Sequence, residues 1–257
     1  MANWFNIGVK GYGVWPENEK EVDIDGKIFT LCPLTKENQA SFHIDLEKQG
    51  ISTDNANALM NKFLSHLSWF SHQPYWLATY GVAGGSVKQT NIEREQSMLF
   101  EGMICDFPNR FELHKEPRTL RALAFYRQAQ VAEQYSLPNA CLGYYKILEI
   151  EKSHNGVESL DVWINQQLPE IRKRNAFVFP ELESFAKAKN MSLSKFFFKG
   201  VRNEAAHYLI DSKLNLDDNS ARELFGRATQ PLEDLATLYI ENVLKISDNL
   251  FSVSYFK

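Results

Sequence analysis

Hydrophobic and polar positions follow two different periods along this chain. In the N-terminal part, apolar and polar residues alternate over Val22–Phe29 and again over Ser41–Leu46. Alternation of this kind predicts half-buried strands, and Asp25-Gly26 in the first stretch is a strong hairpin signal. Residues 75–82 predict another strand, whereas between 52 and 70 the apolar residues recur with helical spacing. This part is therefore predicted to be a mixed domain of strands and one main helix.

From residue 118 onward the apolar positions keep helical spacing almost throughout. A polar stretch with two prolines, Asp106–Pro117, separates the two patterns and predicts a domain boundary. We place the domains at residues 1–112 and 113–257, which makes the fold class α+β with an all-α second domain. Asn155-Gly156 is predicted to be a turn. The predicted helices are 118–136, 139–152, 158–173, 180–189, 192–199, 202–213 and 219–248.

The net charge and the positions of cysteine and histidine argue against extended nucleic-acid binding and against a metal site. The chain has 257 residues, 44% of them hydrophobic, and a formal net charge of -4. A mildly acidic protein is not coated with positive charge, so any contact with nucleic acid must be local. The three cysteines form no C-x-x-C pair, and the histidines lack metal-ligand spacing. No metal and no cofactor are therefore expected.

The sequence also predicts where the protein resides. No signal peptide is expected from residues 1–13, and no apolar stretch approaches the ~20 residues that cross a bilayer. We expect a soluble, cytoplasmic protein that makes no membrane contact.

One segment is clearly positive. Between residues 172 and 202 the chain carries eight lysines and arginines, opposed only by Glu181 and Glu183. Such a segment is either a solvated helical face or a local surface that attracts phosphate groups. Both interpretations stay open at this point.

The positive segment ends in the candidate site. Arg202 is followed directly by Asn203 and, five residues on, by His207. Gly200 is predicted to end the preceding aromatic run, so that a new helix begins at Gly200–Arg202. On that helix Asn203 and His207 share a face, and the amide would orient the imidazole, whereas Arg202 points elsewhere. A working arginine–histidine pair therefore requires either that Arg202 reaches round from the first turn or that the pair is assembled across two chains.

These residue types suit RNA cleavage by the 2′-hydroxyl. The reaction needs a base, an acid and positive charge on the phosphorane-like transition state. Histidine transfers protons near neutral pH, and arginine binds phosphate oxygens in a bidentate manner. Arg202 and His207 are therefore the candidate catalytic residues, with Asn203 as an accessory residue. Alternatively, Arg202 pairs with a carboxylate and His207 has only a packing role.

Two resemblances extend this hypothesis. Arg202-Asn203-Glu204-Ala205-Ala206-His207, late in a helical domain, resembles the R-x4-6-H motif of the HEPN superfamily. Tyr126-Arg127 and Tyr144–Glu149 resemble the methylamine-utilisation MauJ-like proteins. The first resemblance implies a HEPN-like bundle that dimerises through the motif-bearing helices and cleaves RNA without a metal. Arg202, His207 and Asn203 would be its site, as in prokaryotic toxins and defence effectors.

The expected partners follow from this resemblance: RNA, with tRNA as one candidate, a second copy of the chain, and a regulatory protein. Two other functions remain as alternatives. One is a non-catalytic HEPN-like module for dimerisation or interaction. The other is a small-molecule-binding protein whose pocket lies in the aromatic-rich first domain, around Trp69, Trp76 and Tyr80.

Overall fold

A computed structural model describes residues 3–90, 92, 102–104, 107–150, 152–211 and 219–246 of the chain. The fold is α+β, with the strands in the N-terminal part and helices after it. The described residues form two compact units, which divide between Arg127 and Gln128. The boundary predicted after residue 112 marks a change of composition and stays a prediction.

The first unit contains a six-stranded sheet in the order β6-β1-β5-β4-β3-β8. All neighbouring strands are antiparallel except β3 and β8, and β2 pairs separately with β7 in parallel. The strands are β1 Trp4–Gly11, β2 Val14–Pro16, β3 Lys20–Ile24, β4 Lys27–Cys32, β5 Ser41–Asp45, β6 Tyr75–Gly85, β7 Gly102–Ile104 and β8 Arg110–Phe111. The predicted hairpin is confirmed, because Asp25 and Gly26 connect β3 to β4 with positive φ values of 53° and 81°.

Two helices complete this unit, α1 Leu46–Gln49 and α2 Thr53–Ser71, and α3 Pro117–Glu133 begins in it. The predicted helix over 52–70 is confirmed as α2, whose N-terminus is capped by the Ser52 hydroxyl. Phe63 on α2 packs edge-on against Phe42 on β5, with ring centroids 5.7 Å apart. Both rings are fully buried, so the sheet and α2 share one aromatic-rich core.

A buried polar network lies within the sheet. His43 Nδ1 is 2.8 Å from Asn6 Oδ1, and His43 Nε2 is 2.7 Å from the Ser41 hydroxyl. Asn6 Oδ1 also accepts from the backbone N–H of Gln89, so Nδ1 carries the imidazole proton and Ser41 donates to Nε2. Burial disfavours the charged ring and lowers the pKa of His43 to about 4. His43 is therefore a neutral structural histidine at physiological pH.

The second unit is helical. Its elements after α3 are α4 Leu137–Leu148, α5 Lys152–Arg174, α6 Phe179–Ala188, α7 Leu193–Lys195, a π-helical segment Phe196–Arg202, α8 Asn203–Asp211 and α9 Asn219–Asn242. α4 packs on α9, where the Cys141 sulfur lies 3.4 Å from the Thr229 hydroxyl. α3 and α4 approach closely, since a Cβ on Gly143 would lie 2.9 Å from the Cβ of Ala129.

The turn predicted at Asn155-Gly156 is wrong, because both residues lie inside α5. A single glycine costs a helix only about 1 kcal/mol relative to alanine, which the rest of a 23-residue helix outweighs. Across the described residues, none of the helices combines the length and apolar character that a bilayer crossing requires.

Candidate functional site at Arg202

Arg202, Asn203 and His207 lie on one continuous helix, residues 193–211, which we call the motif helix. It begins after Ser192, whose hydroxyl accepts the backbone N–H of Lys195 at 3.4 Å. The helix start predicted at Gly200–Arg202 is therefore wrong, as is the division into helices 192–199 and 202–213.

Gly200 lies within the helix and does not interrupt it. Its missing side chain leaves space for the ring of Phe196. A Cβ at this position would lie 2.4 Å from Cδ2 of the fully buried Phe196. The backbone here is π-helical, and the N–H of Asn203 donates to the carbonyl of Phe198, five residues earlier. The glycine thus permits close packing of an aromatic side chain inside a wider helical turn.

The Arg202 guanidinium is held at the end of this π-helical segment. Its Nη2 donates to Glu149 Oε2 and its Nη1 to Asn203 Oδ1, both at 3.2 Å. Glu149 directly follows α4, so the ion pair joins α4 to the motif helix. The Arg202 side chain is 29% exposed, which leaves part of the guanidinium open to solvent. Its Nε is buried and has no hydrogen-bond partner in the described part of the chain.

Two aromatic rings support the guanidinium. The Arg202 guanidinium carbon lies 5.8 Å from the centroid of Phe198, within cation–π range. Phe198 in turn stacks on Tyr145 of α4, at 6.1 Å and an interplanar angle of 29°. Burial, together with the negative charge of Glu149, raises the pKa of Tyr145, so its phenol is neutral and can only act as an ordinary hydroxyl. The arginine is therefore fixed by a carboxylate on one side and by stacked rings on another.

His207 is exposed in the middle of α8. Among the residues that the structure describes, it makes no hydrogen bond or ion pair. Five α-helical residues separate two side chains by about 140° around the axis, so Arg202 and His207 point in different directions. Asn203 contacts Arg202, and within the described residues it does not hydrogen-bond to His207. The structure thus brings Arg202 and Asn203 together and leaves His207 apart.

Sequence reasoning did not assign Glu149, Phe198 and Tyr145 to the site. Tyr145 and Glu149 are four residues apart, a spacing that places them on one side of the α4 end. That spacing could have marked a face for a cation, but only the tertiary structure shows which arginine occupies it.

The positive segment is only partly neutralised. Arg172 pairs with Glu183, Arg174 with Glu170, and Lys189 with Glu204 on the motif helix. Four other lysines of the segment are exposed and make no ion pair within the described ranges. They are Lys173, Lys187, Lys195 and Lys199. The excess positive charge therefore reaches solvent near the motif helix.

No set of three or more histidine, cysteine, aspartate or glutamate side chains in the described residues is arranged to hold a metal ion. The aromatic residues named for a small-molecule pocket are placed differently. Trp69 is fully buried and packs edge-on against Tyr126, with ring centroids 5.2 Å apart. The ring centroids of Trp76 and Tyr12 are 6.3 Å apart. The side chain of Tyr80 lies outside the described part of the structure.

Comparison with known proteins identifies one relationship. Residues 122–241 match the family model described as "Methylamine utilization protein MauJ". The match confirms the expected MauJ-like character of the C-terminal region. The matched residues include Tyr145, Glu149 and Arg202. No curated protein and no solved structure matches the chain.

Proposed function

We propose that the helical unit is a HEPN-like, metal-independent endoribonuclease whose active site forms between two copies of the chain. The observation that carries the proposal is the partly exposed Arg202 guanidinium, fixed by Asn203, Glu149 and Phe198, with an exposed His207 on the same helix. A guanidinium has five N–H donors, of which the contacts above use two and the buried Nε carries a third. The solvent-facing remainder suits the non-bridging oxygens of a phosphodiester.

The reaction proposed is an internal transfer. One His207 removes the proton of the 2′-hydroxyl, and the 2′-oxygen attacks phosphorus. The 5′-oxygen leaves with a proton from the partner subunit's His207. The products are a 2′,3′-cyclic phosphate and a 5′-hydroxyl, so atoms and charge balance without a co-reactant. Arg202 stabilises the added negative charge on the pentavalent phosphorus.

A dimer is part of the proposal because of the helical geometry. Within one chain Arg202 and His207 diverge around the helix axis. A two-fold arrangement of motif helices would place the His207 of each copy near the Arg202 of the other. As a cytoplasmic toxin or defence effector, such an enzyme would act on RNA such as tRNA, with a regulatory protein as its restraint.

The test is cleavage of tRNA and mixed RNA in EDTA by the purified full chain. We expect 2′,3′-cyclic phosphate ends, with loss of cleavage in Arg202→Ala and in His207→Ala. Because the proposed reaction uses the His207 of both copies, an excess of His207→Ala mixed with the parent chain should suppress cleavage by forming dimers with a single His207. A monomeric variant that cleaves RNA at the full rate would contradict the proposal of a composite site.

A second candidate function is favoured by a specific contact. The Glu149 carboxylate already neutralises part of the positive charge of Arg202 that a phosphate would need. An arginine that pairs within its own chain also suits a non-catalytic dimerisation module. Complete inactivity on many RNAs, with a dimer that survives the Arg202 and His207 substitutions, would favour this second function.

A further inference from the structure

Phe177 is the most exposed large hydrophobic side chain in the described residues. The residue is 96% exposed and lies in the turn between α5 and α6. An aromatic side chain left entirely in water loses the burial energy that normally places such residues inside. Full exposure of this ring is therefore suited to a contact with a partner.

The turn that presents this ring is rigidly built. The buried Asn175 donates from Nδ2 to the carbonyl of Ile171 at 3.0 Å and to Asp234 Oδ2 at 2.6 Å. The carbonyl of Asn175 accepts the backbone N–H groups of Val178 and Phe179 at 3.1 and 3.0 Å. These bonds tie the turn to both α5 and α9. The backbone that carries the exposed ring is thus held in one place, which lowers the entropic cost of binding.

Three basic residues, Arg172–Arg174, end the helix before the turn, and Glu183 and Glu170 pair with the first and the last of them. The Arg172 guanidinium lies 5.3 Å from the ring of Phe179 and pairs with Glu183. Lys173 is exposed, and its charge, after the hydrogen bond and charge of Arg174, lowers the pKa of Glu170. An apolar partner surface of another protein would have to desolvate these cations. A polyanion with flat aromatic groups satisfies both features at once.

α6 connects this turn to the motif helix. At its end, Lys187 is exposed and Lys189 Nζ lies 3.4 Å from Glu204 Oε1 on the motif helix. The ten residues of α6 span about 15 Å. The exposed ring therefore lies a few nucleotides' length from the helix that carries Arg202 and His207.

We infer that Phe177 is a stacking platform for a base of single-stranded RNA, with Lys173 binding a phosphate beside it and Lys187 binding another at the far end of α6. The inference rests on the proposed RNA substrate and adds where that substrate lies. The strand runs from the turn along α6 toward the motif helix. Because every base has a flat face, Phe177 contributes affinity with little sequence preference.

The experiment measures binding separately from cleavage. A fluorescein-labelled 12-nucleotide 2′-O-methyl RNA has no free 2′-hydroxyl, so it can be bound and not cut. Fluorescence anisotropy is recorded for the parent, Phe177→Ala, Phe177→Tyr and Tyr135→Ala, the last being a control at another exposed aromatic, 73% exposed. We expect Phe177→Ala to weaken binding by about fivefold to a hundredfold, Phe177→Tyr to bind like the parent, and Tyr135→Ala to have no effect.

The outcomes separate the two proposals. If binding depends on Phe177 while unmodified RNA is never cleaved, the stacking site stands and the nuclease proposal fails. Equal binding by the parent and Phe177→Ala, or no binding by the parent, overturns the stacking site. A shift in oligomeric state by Phe177→Ala in light scattering, with unchanged RNA binding, overturns it in favour of a contact between copies. As a charge test, Lys173→Ala should reduce the salt slope of log K by about 0.7.

Discussion

The guanidinium of Arg202 donates a hydrogen bond to the carboxylate of Glu149, 3.2 Å away. A phosphate that approaches Arg202 therefore meets a cation whose charge is already partly neutralised. Glu149 also limits where the guanidinium can point, because Asn203 and Phe198 hold its other sides. This one ion pair both orients the candidate catalytic arginine and competes with its proposed substrate.

Replacing Glu149 tests that competition. Glu149→Gln keeps an acceptor for Arg202 and removes the negative charge. With both side chains partly exposed, the screened pair is worth about 1 kcal/mol, so RNA affinity or cleavage should rise about fivefold. Single-turnover cleavage and 2′-O-methyl RNA binding would measure the two effects separately.

Glu112→Gln is the matched control, because it removes the exposed Arg110–Glu112 ion pair of the first unit, which is not part of α6. It should leave RNA binding unchanged. A fall in cleavage for Glu149→Gln, without loss of folding, would show that the carboxylate positions Arg202 more than it competes for it.

Gly200 gives a stability prediction. The new methyl group of Gly200→Ala would collide with the buried Phe196 ring at 2.4 Å, which the packed surroundings cannot easily relieve. We expect the free energy of unfolding to fall by about 1–3 kcal/mol, measured by urea denaturation.

Gly226→Ala in α9 is the matched control, because the nearest atom to its Cβ would be Leu137 Cδ1 at 3.9 Å. That substitution should stabilise the protein by about 0.5–1 kcal/mol through helix propensity. Equal effects of the two substitutions would mean that Phe196 does not pack against Gly200.

The buried His43 predicts an acid sensitivity of the first unit. Its pKa of about 4 in the fold lies below the value of about 6.5 in an unfolded chain. As pH falls, the imidazole of the unfolded chain binds a proton first, which favours unfolding. The folded state is therefore unaffected by His43 above pH ~6.5 and is destabilised progressively between pH ~6.5 and pH ~4. The loss is on the order of 3 kcal/mol, and His66, with a pKa also lowered to about 4 by burial, adds to it.

Urea denaturation at several pH values between 7.5 and 4.5 measures this loss. In His43→Gln the dependence on pH should be shallower than in the parent. A parent whose unfolding free energy is constant across that range would contradict the assignment of a neutral, buried His43.

Asn175 predicts that the turn contributes to both stability and binding. Asn175→Ala removes the hydrogen bonds to Ile171 and Asp234 and should lower the free energy of unfolding by about 1–3 kcal/mol. Because the turn would no longer hold Phe177 in place, RNA binding should weaken even in protein that remains folded at the assay temperature. Asn61→Ala, in the first unit, is the control for a lost amide side chain. Normal binding by folded Asn175→Ala would show that Phe177 needs no fixed turn.

The sequence predicted the elements whose signals are local. Alternation around Asp25-Gly26 identified the hairpin, and apolar spacing around Phe63 identified α2, since both depend on which residues face one core. The motif helix was divided incorrectly because glycine is a helix breaker only on average. At Gly200 the decisive partner is the ring of Phe196, one turn away along the helix, whose packing no propensity describes.

The candidate site shows the same limit. Arg202 and Asn203 could be singled out from their order along the chain, and they do contact each other. Glu149 lies 53 residues earlier, so its pairing with Arg202 depends on how α4 packs against the motif helix. The direction of His207 likewise follows from the helix axis, which is why the proposed reaction uses two copies of the chain.

The π-helical turn before Arg202 also affects how the motif is compared between proteins. A wider turn holds one residue more than an α-helical turn, as if a single residue had been inserted into a regular helix. In a relative that lacks this turn, the residue facing α4 would be found one position away from the one aligned with Arg202. The spacing between the aromatic run and the arginine is therefore a property of the helix type as much as of the motif, and relatives are better aligned by the helix face than by residue count.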